Sequence, residues 1–200
     1  MSSTRLRLSA PARRAAVVEA AARIFAAGSY RGTTTAEIAR EAGVSEPVLY
    51  RHFASKRDLY LACLDEGWAR VRALWETALA EEPDPAGWIA AMGRCYLEAQ
   101  ERAPLIGLWT QGLTEATEDP VIRGYLRAHM REVHDHVAGV IARSQAAGGI
   151  HPDRDPAAEA WIFISLGLLS GVGKRLGSLL GVDDFAGIVA SRRRWLTDRA

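Results

Sequence analysis

Residues 41–59 read EAGVSEPVLYRHFASKRDL. Helical patterning runs on both sides of this stretch. It breaks at Ala42-Gly43-Val44-Ser45, and Tyr50, Arg51, His52 and Lys56 then follow within about two helical turns. Two short helices joined by a turn at Gly43 account for the break. The turn needs a residue tolerant of positive φ, and glycine supplies it. Ala39 is small enough to let the two helices cross closely, and Val44 and Leu49 fill the wedge between them. Ser45 caps the second helix, which runs to about Phe53. Glu46 and Pro47 lie in its first turn, where proline costs little.

The pattern extends outward in both directions. Upstream, from Ala12, the positions Val17, Val18, Ala21, Ile24, Phe25 and Gly28 form one stripe, and Gly28-Ser29-Tyr30 ends that helix. Thr34 and Glu37 make a capping box that opens a short helix with Ile38, Ala39 and Ala42 inward. Downstream, Ser55 with Asp58 caps a long helix to about Glu81, on which Leu61, Leu64, Trp68, Val71, Trp75 and Ala78 recur at steps of three and four. The segment EEPDPAG is a break, and Asp84-Pro85 restarts a helix through Gln100. Pro104 begins another through about Thr114, and Asp119-Pro120 a long one through Ala147. Residues 156–180 form a helix apolar almost all round, and Phe185–Thr197 is the last. No run of alternating β-branched residues occurs. The expectation is an all-α protein of about nine helices. Residues 1–55 form a three-helix domain whose first ten residues are mobile, and residues 56–200 form a larger helical domain for ligand binding and dimerisation.

Composition narrows the class. The chain has 200 residues, is 48% hydrophobic and carries a net charge of +1. Residues 1–60 hold ten Lys/Arg against five Asp/Glu, whereas the remaining 140 hold fifteen against nineteen. A basic front on an acidic body suits a polyanionic partner for the front alone. Cys63 and Cys95 have no metal-ligand spacing and read as reduced thiols, as in a cytoplasmic protein. The N-terminus has no apolar h-region, and the run Ala160–Val172 falls short of the roughly 20 residues of a membrane span.

A short second helix with a free N-terminal half fits the DNA major groove. The polar residues around it then have roles. Tyr50, His52, Lys56 and the hydroxyls of Thr33 and Thr34 suit phosphate oxygens, which position a protein on DNA without reading sequence. Base readout falls to Ser45, Glu46, Pro47, Val48 and Arg51. Arg51 suits guanine, Pro47 or Val48 a thymine methyl, and Glu46 cytosine N4 or the positive helix end.

Residues 10–60 resemble the DNA-binding domain of the TetR family of bacterial transcriptional repressors. The resemblance rests on RRAAVVEAAARIFAAGSYRGTT, TAEIAREAGVS and PVLYRHFASKRDLYLACL, above all on Tyr50, His52, Phe53, Lys56 and Leu59 at their mutual spacing. Pro47 stands where many relatives have Gly. The resemblance implies a homodimer on a pseudo-palindromic operator, with one recognition helix per half-site. It also implies a small-molecule effector that acts through the long helix from Lys56 to Glu81 and releases the DNA. An activator, or a DNA-binding protein without an effector, is the alternative.

The C-terminal part supports two further expectations. The helix AEAWIFISLGLLSGVG has more apolar surface than one core needs, so with the last helix it forms a four-helix seam with a two-fold mate. Trp161, Ile162, Leu166, Leu169, Phe185, Ile188 and Trp195 line it, and Gly167, Gly171 and Gly173 allow close approach. Trp68, Trp75, Trp88, Met92, Tyr96, Trp109, Tyr125 and Phe163 line a pocket for a small hydrophobic or aromatic effector. His129, Glu132 and His136 share a helix face, but a solvated polar face explains them as well as a metal does. The segment LLSGVGKRLG lacks the glycine and hydroxyl of a phosphate loop. No nucleophile elbow, paired catalytic carboxylates or cofactor loop is present, so neither an enzyme nor a cofactor is expected.

Overall fold

The computed structural model describes residues 9–99, 105–177, 179 and 181–198. Among these, nine α-helices and no strands occur: α1 (Ala10–Ala27), α2 (Thr35–Glu41), α3 (Glu46–Tyr50), α4 (Lys56–Glu81), α5 (Trp88–Ala99), α6 (Leu105–Glu115), α7 (Pro120–Ala146), α8 (Pro156–Arg175) and α9 (Val182–Thr197). A single 3₁₀ turn, Pro85–Gly87, precedes α5 where a continuous helix was expected, because the Asp84 carboxylate accepts from the Ala86 amide and tightens the chain there. The ends expected at Gln100 and Pro104, and the mobile start before Ser9, lie outside the described residues.

The chain divides into two compact units. The first comprises Met1–Trp68 and Gly107–Leu126. Its core is built from the α1 stripe (Val17, Val18, Ala21, Phe25), Ile38 and Ala39 of α2, Leu49 of α3, and Leu59, Tyr60, Cys63 and Leu64 of α4, all almost fully buried. Each large apolar side chain among them stabilises the unit by about 1.5–3 kcal/mol. The Tyr60 ring meets Phe25 edge-on at 5.2 Å and Tyr30 at 5.1 Å. The helix ends follow local chemistry. Ser9 caps α1, the Thr34–Glu37 box opens α2, and Ser55 and Asp58 bond reciprocally at the start of α4. Gly43 sits at φ +67 between α2 and α3.

This unit does not stop at residue 55, the boundary expected from sequence. The Tyr60 hydroxyl donates to the Leu108 carbonyl, and Gln111 Nε2 donates to the Gly28 carbonyl at 2.6 Å. Arg31 pairs with Glu115 at 3.0 Å and with Glu118, and Arg57 pairs with Asp119 at 3.2 Å. The end of α6 and the start of α7 are therefore part of the same body as the helix-turn-helix.

The second unit comprises Ala69–Ile106 and Arg127–Ala200. Val137, Val140 and Ile141 of α7 and Ala160 and Ile164 of α8 are buried in it with Trp75 and Met92. The Ser144 hydroxyl donates to the Pro85 carbonyl at 2.7 Å, and the His151 amide donates to the Leu196 carbonyl at 2.8 Å. Within α8 the stretch Pro156–Gly173 is long and apolar enough by composition to cross a membrane, longer than the run read from sequence, and a third of it is buried. Its charge, Glu159, is buried against Arg192 and the Trp195 indole N–H of α9. Two of the three α8 glycines expected to allow close helix approach, Gly167 and Gly171, meet side chains of the same unit. A Cβ at Gly171 would stand 2.0 Å from Ile106 Cγ2, and one at Gly167 would stand 3.5 Å from the Tyr96 ring.

Candidate nucleic-acid interface

Helix α3 presents Ser45, Pro47, Tyr50 and Arg51 to solvent, with Glu46 and Val48 half-buried, while Leu49 anchors it from behind. Ser45 has the extended backbone of a helix cap, but its hydroxyl makes no capping bond, so it stays available at the exposed helix start. The five-residue helix is held by one polar bridge. The Thr35 hydroxyl, at the first turn of α2, donates to Glu46 Oε1 and lies 3.1 Å from the Tyr50 hydroxyl. Threonine has a single hydroxyl proton. With that proton on Glu46, the Tyr50 hydroxyl donates to Thr35 Oγ1 and faces outward as an acceptor. Glu46 thus braces α3 against α2.

The expected phosphate contacts divide similarly. Thr34 is exposed at the start of α2, but its hydroxyl closes the capping box with Glu37. The backbone amide and hydroxyl of Thr34 hold the Glu37 carboxyl below its ordinary range. Thr33 is buried and its hydroxyl donates to the Ser29 carbonyl at 2.8 Å, which turns it away from the surface. Lys56 donates to the Thr33 carbonyl at 2.8 Å, and its ammonium lies 4.6 Å from the centre of the Tyr30 ring. Burial pulls the Lys56 pKa below the usual lysine value, and Glu115 acts against that shift. His52 is half-buried with its ring 6.5 Å from Phe53. Sequence reasoning missed Thr35, whose role rests on partners 11 and 15 residues away.

The expected pocket residues fall into two groups. Trp68, Trp109 and Tyr125 belong to the first unit, where the Tyr125 hydroxyl donates to Asp65. In the second unit Trp75, Met92, Tyr96 and Phe163 come together. The Trp75 indole N–H donates to the Met92 carbonyl at 3.1 Å, and its ring lies 6.2 Å from Tyr96 and 5.8 Å from Phe163. Trp88 instead donates to the Glu82 carbonyl. His136, read from sequence as part of a solvated polar face or as a metal ligand, stacks on Trp75 at 5.7 Å, and Glu132 pairs with Arg72 at 3.5 Å. Burial, with Arg143 nearby, pulls the His136 pKa below its usual value.

Helix α8 turns an apolar face to solvent: Trp161, Ile162, Leu169 and Val172 are exposed, as is Leu176 just beyond its end. Leu166, Phe185 and Ile188 are half-buried, and Trp195 is half-exposed beneath the Arg154 guanidinium, which lies 3.7 Å from its ring centre.

Residues 17–63 match the family model described as bacterial regulatory proteins, tetR family. The chain is 30% identical over 190 residues to the HTH-type transcriptional activator FasR of Mycolicibacterium smegmatis, a match covering 83% of this chain and 87% of that protein. It is 28% identical over 128 residues to the HTH-type transcriptional regulator BetI of Rhizobium meliloti, across 64% of this chain and 63% of BetI, just under two thirds of its length. In fold it is similar to a transcriptional regulator from Saccharomonospora viridis crystallised with choline. That likeness has a TM-score of 0.71 and 24% identity, and covers 89% of this chain and 93% of the other.

Proposed function

Because the chain belongs to the TetR family of bacterial transcriptional regulators, we propose that it represses transcription as a dimer on a pseudo-palindromic operator, with one α3 per half-site. The observation that carries this reading is α3 itself, a short helix braced from behind with Ser45, Pro47 and Arg51 exposed and Val48 half-buried beside them. Arg51 reads a guanine and Pro47 or Val48 a thymine methyl, while His52 and the backbone at the start of α2 hold phosphates. The exposed α8 face, with α9, forms the seam to the second copy.

The effector is a small hydrophobic or aromatic molecule held by the second unit around Trp75, Tyr96 and Phe163. A regulator of similar fold crystallised with choline supports a small-molecule ligand, and aromatic faces also suit a quaternary ammonium. The protein acts in the cytoplasm, where its DNA is. It works as a regulator rather than an enzyme. Activation is the second reading, favoured by the activator FasR as a 30%-identical relative.

The test is fluorescence anisotropy on DNA from upstream of the protein's own gene, against scrambled DNA, with a reporter fused to the same promoter. Preferential binding by two protomers, with reporter output rising when the gene is deleted, is expected. Output that falls on deletion establishes the activator instead, and equal binding to scrambled DNA rejects the operator reading.

A further inference from the structure

Helix α7 carries a histidine that neither the α3 surface nor the aromatic group around Trp75 uses. His134 meets the start of α8 within the second unit. Its Nδ1 lies 3.0 Å from Asp135 Oδ1, and its Nε2 lies 3.0 Å from the Ala157 carbonyl oxygen. Its ring stacks on Trp161, with ring centres 4.3 Å apart and planes 28° from parallel. Only 13% of the His134 side chain is exposed, whereas Trp161, on the apolar face of α8, is 47% exposed. The imidazole therefore covers one face of an indole that is otherwise turned to solvent.

Both partners of the ring are acceptors, since neither a carbonyl nor a carboxylate has a proton to give. A neutral imidazole has one N–H and meets the second oxygen with a bare lone pair. The imidazolium has two and donates to both. The hydrogen-bond set around His134 is thus complete only in the protonated ring. Loss of the proton sets a lone pair against an oxygen, and the ring must turn or withdraw, which disturbs the stack on Trp161. Asp135 is the counterion, so covering this site buries no lone cation. Arg131 is the like charge one turn earlier on α7. At the start of α8, Asp155 accepts from the Ala157 amide at 2.9 Å, and Glu159 is turned to Arg192 and Trp195 of α9.

We propose that His134 is a positioning residue of the two-fold seam, whose imidazolium fixes the Trp161 ring for contact with a second copy of the chain, so that the dimer tightens as pH falls. The proposal rests on the reading of the α8 face as that seam and deepens it. A second copy suits this face because its exposed residues are apolar and the acidic residue of α8, Glu159, is paired within the chain. Association holds Trp161 in one orientation, and a histidine that sets this orientation beforehand lowers the ordering cost. Deprotonation frees the ring and restores that cost.

The experiment is subunit exchange of the full chain, read by energy transfer between donor-labelled and acceptor-labelled protomers, at a fixed urea concentration that brings exchange into a measurable range. Wild-type exchange should be about five- to tenfold slower near pH 5.5 than near pH 8, the difference between a charge-assisted and a neutral hydrogen bond. His134→Gln cannot titrate and should remove most of that dependence, while the other histidines of the unit stay in place. Asp135→Asn offers the neutral ring a donor where the carboxylate stood, so exchange should be slow at both pH values. Should His134→Gln fail to fold by circular dichroism, His134→Phe keeps a stacking ring without a titrating group and makes the same comparison. Wild-type exchange that does not change with pH, or the wild-type pH dependence retained in the His134 or Asp135 variant, overturns the proposal while leaving the dimer intact. A wild-type chain that sediments as a monomer at both pH values overturns the seam reading as well.

Discussion

Thr35 has one hydroxyl proton, and the direction of that proton decides what Glu46 and Tyr50 do. Thr35→Val removes the shared partner of a carboxylate and a phenol beneath α3. It should cost about 1–3 kcal/mol, measured as a lower urea midpoint with an unchanged slope. Cys63 is governed by burial in the same unit, which pushes its thiol up to about 12 against the slight pull of Arg14. The folded state favours the neutral thiol, so its contribution is complete below the unfolded thiol value and is lost as pH rises from there towards about 12. At pH 8 iodoacetamide should modify Cys95, which is half-buried, well before Cys63, as peptide mass mapping will show. His136 has the opposite sign. Its pKa is depressed by burial and by Arg143, so its contribution is present above the ordinary imidazole value and is lost as pH falls through the depressed one. Tryptophan emission from Trp75 should therefore change on acidification below about pH 6.5, and His136→Phe should remove that change while keeping the stack.

At the scale of elements, the turn between α2 and α3 and the contact of α8 with α6 depend on glycines for different reasons. A Cβ on Gly43 would touch nothing within 4 Å, so only the positive φ penalises a substitution. Gly43→Ala should cost about 1–2 kcal/mol and lower Tm by roughly 2–8 °C without altering the packing. Gly171 faces a steric limit instead, since its Cβ would collide with Ile106 Cγ2. Gly171→Ala should lower Tm by a comparable amount through overpacking of the second unit, and Ile106→Ala should relieve part of it in the double variant. The helices themselves were legible in the sequence. Periodicity of three and four, the Thr34–Glu37 box, and prolines at 85, 120 and 156 are signals carried within a few residues. The partners of the side chains were not legible. Lys56 finds Thr33 across 23 positions and Arg31 finds Glu115 across 84. The amphipathic pattern that marks a surface lysine is the same whether its ammonium meets solvent or a carbonyl.

For the whole molecule, the exposed α8 face is the feature with the largest consequence. Trp161, Leu169 and Val172 in water would leave an apolar patch of the kind that marks an interface. Leu169→Glu should shift the sedimentation coefficient to that of a monomer and weaken binding to a two-half-site operator far more than to a single half-site. A wild-type sedimentation profile in that variant rules out this seam. The α6–α7 corner is ionically tied through Arg31 and Arg57 to the unit that holds the helix-turn-helix, and it belongs to that unit.

The sequence by itself determined the nine helices of the described residues, the helix-turn-helix and the family, because caps, turns and apolar periods are local and the spacing of Tyr50, His52, Phe53 and Lys56 is carried in one short stretch. Only the tertiary structure decided which carboxylates Arg23, Arg31 and Arg57 pair with, where the proton of Thr35 points, and which face of α8 is left apolar in solvent. Those properties depend on distances between residues far apart in the chain, and desolvation and hydrogen-bond partnership are set by such distances rather than by residue type.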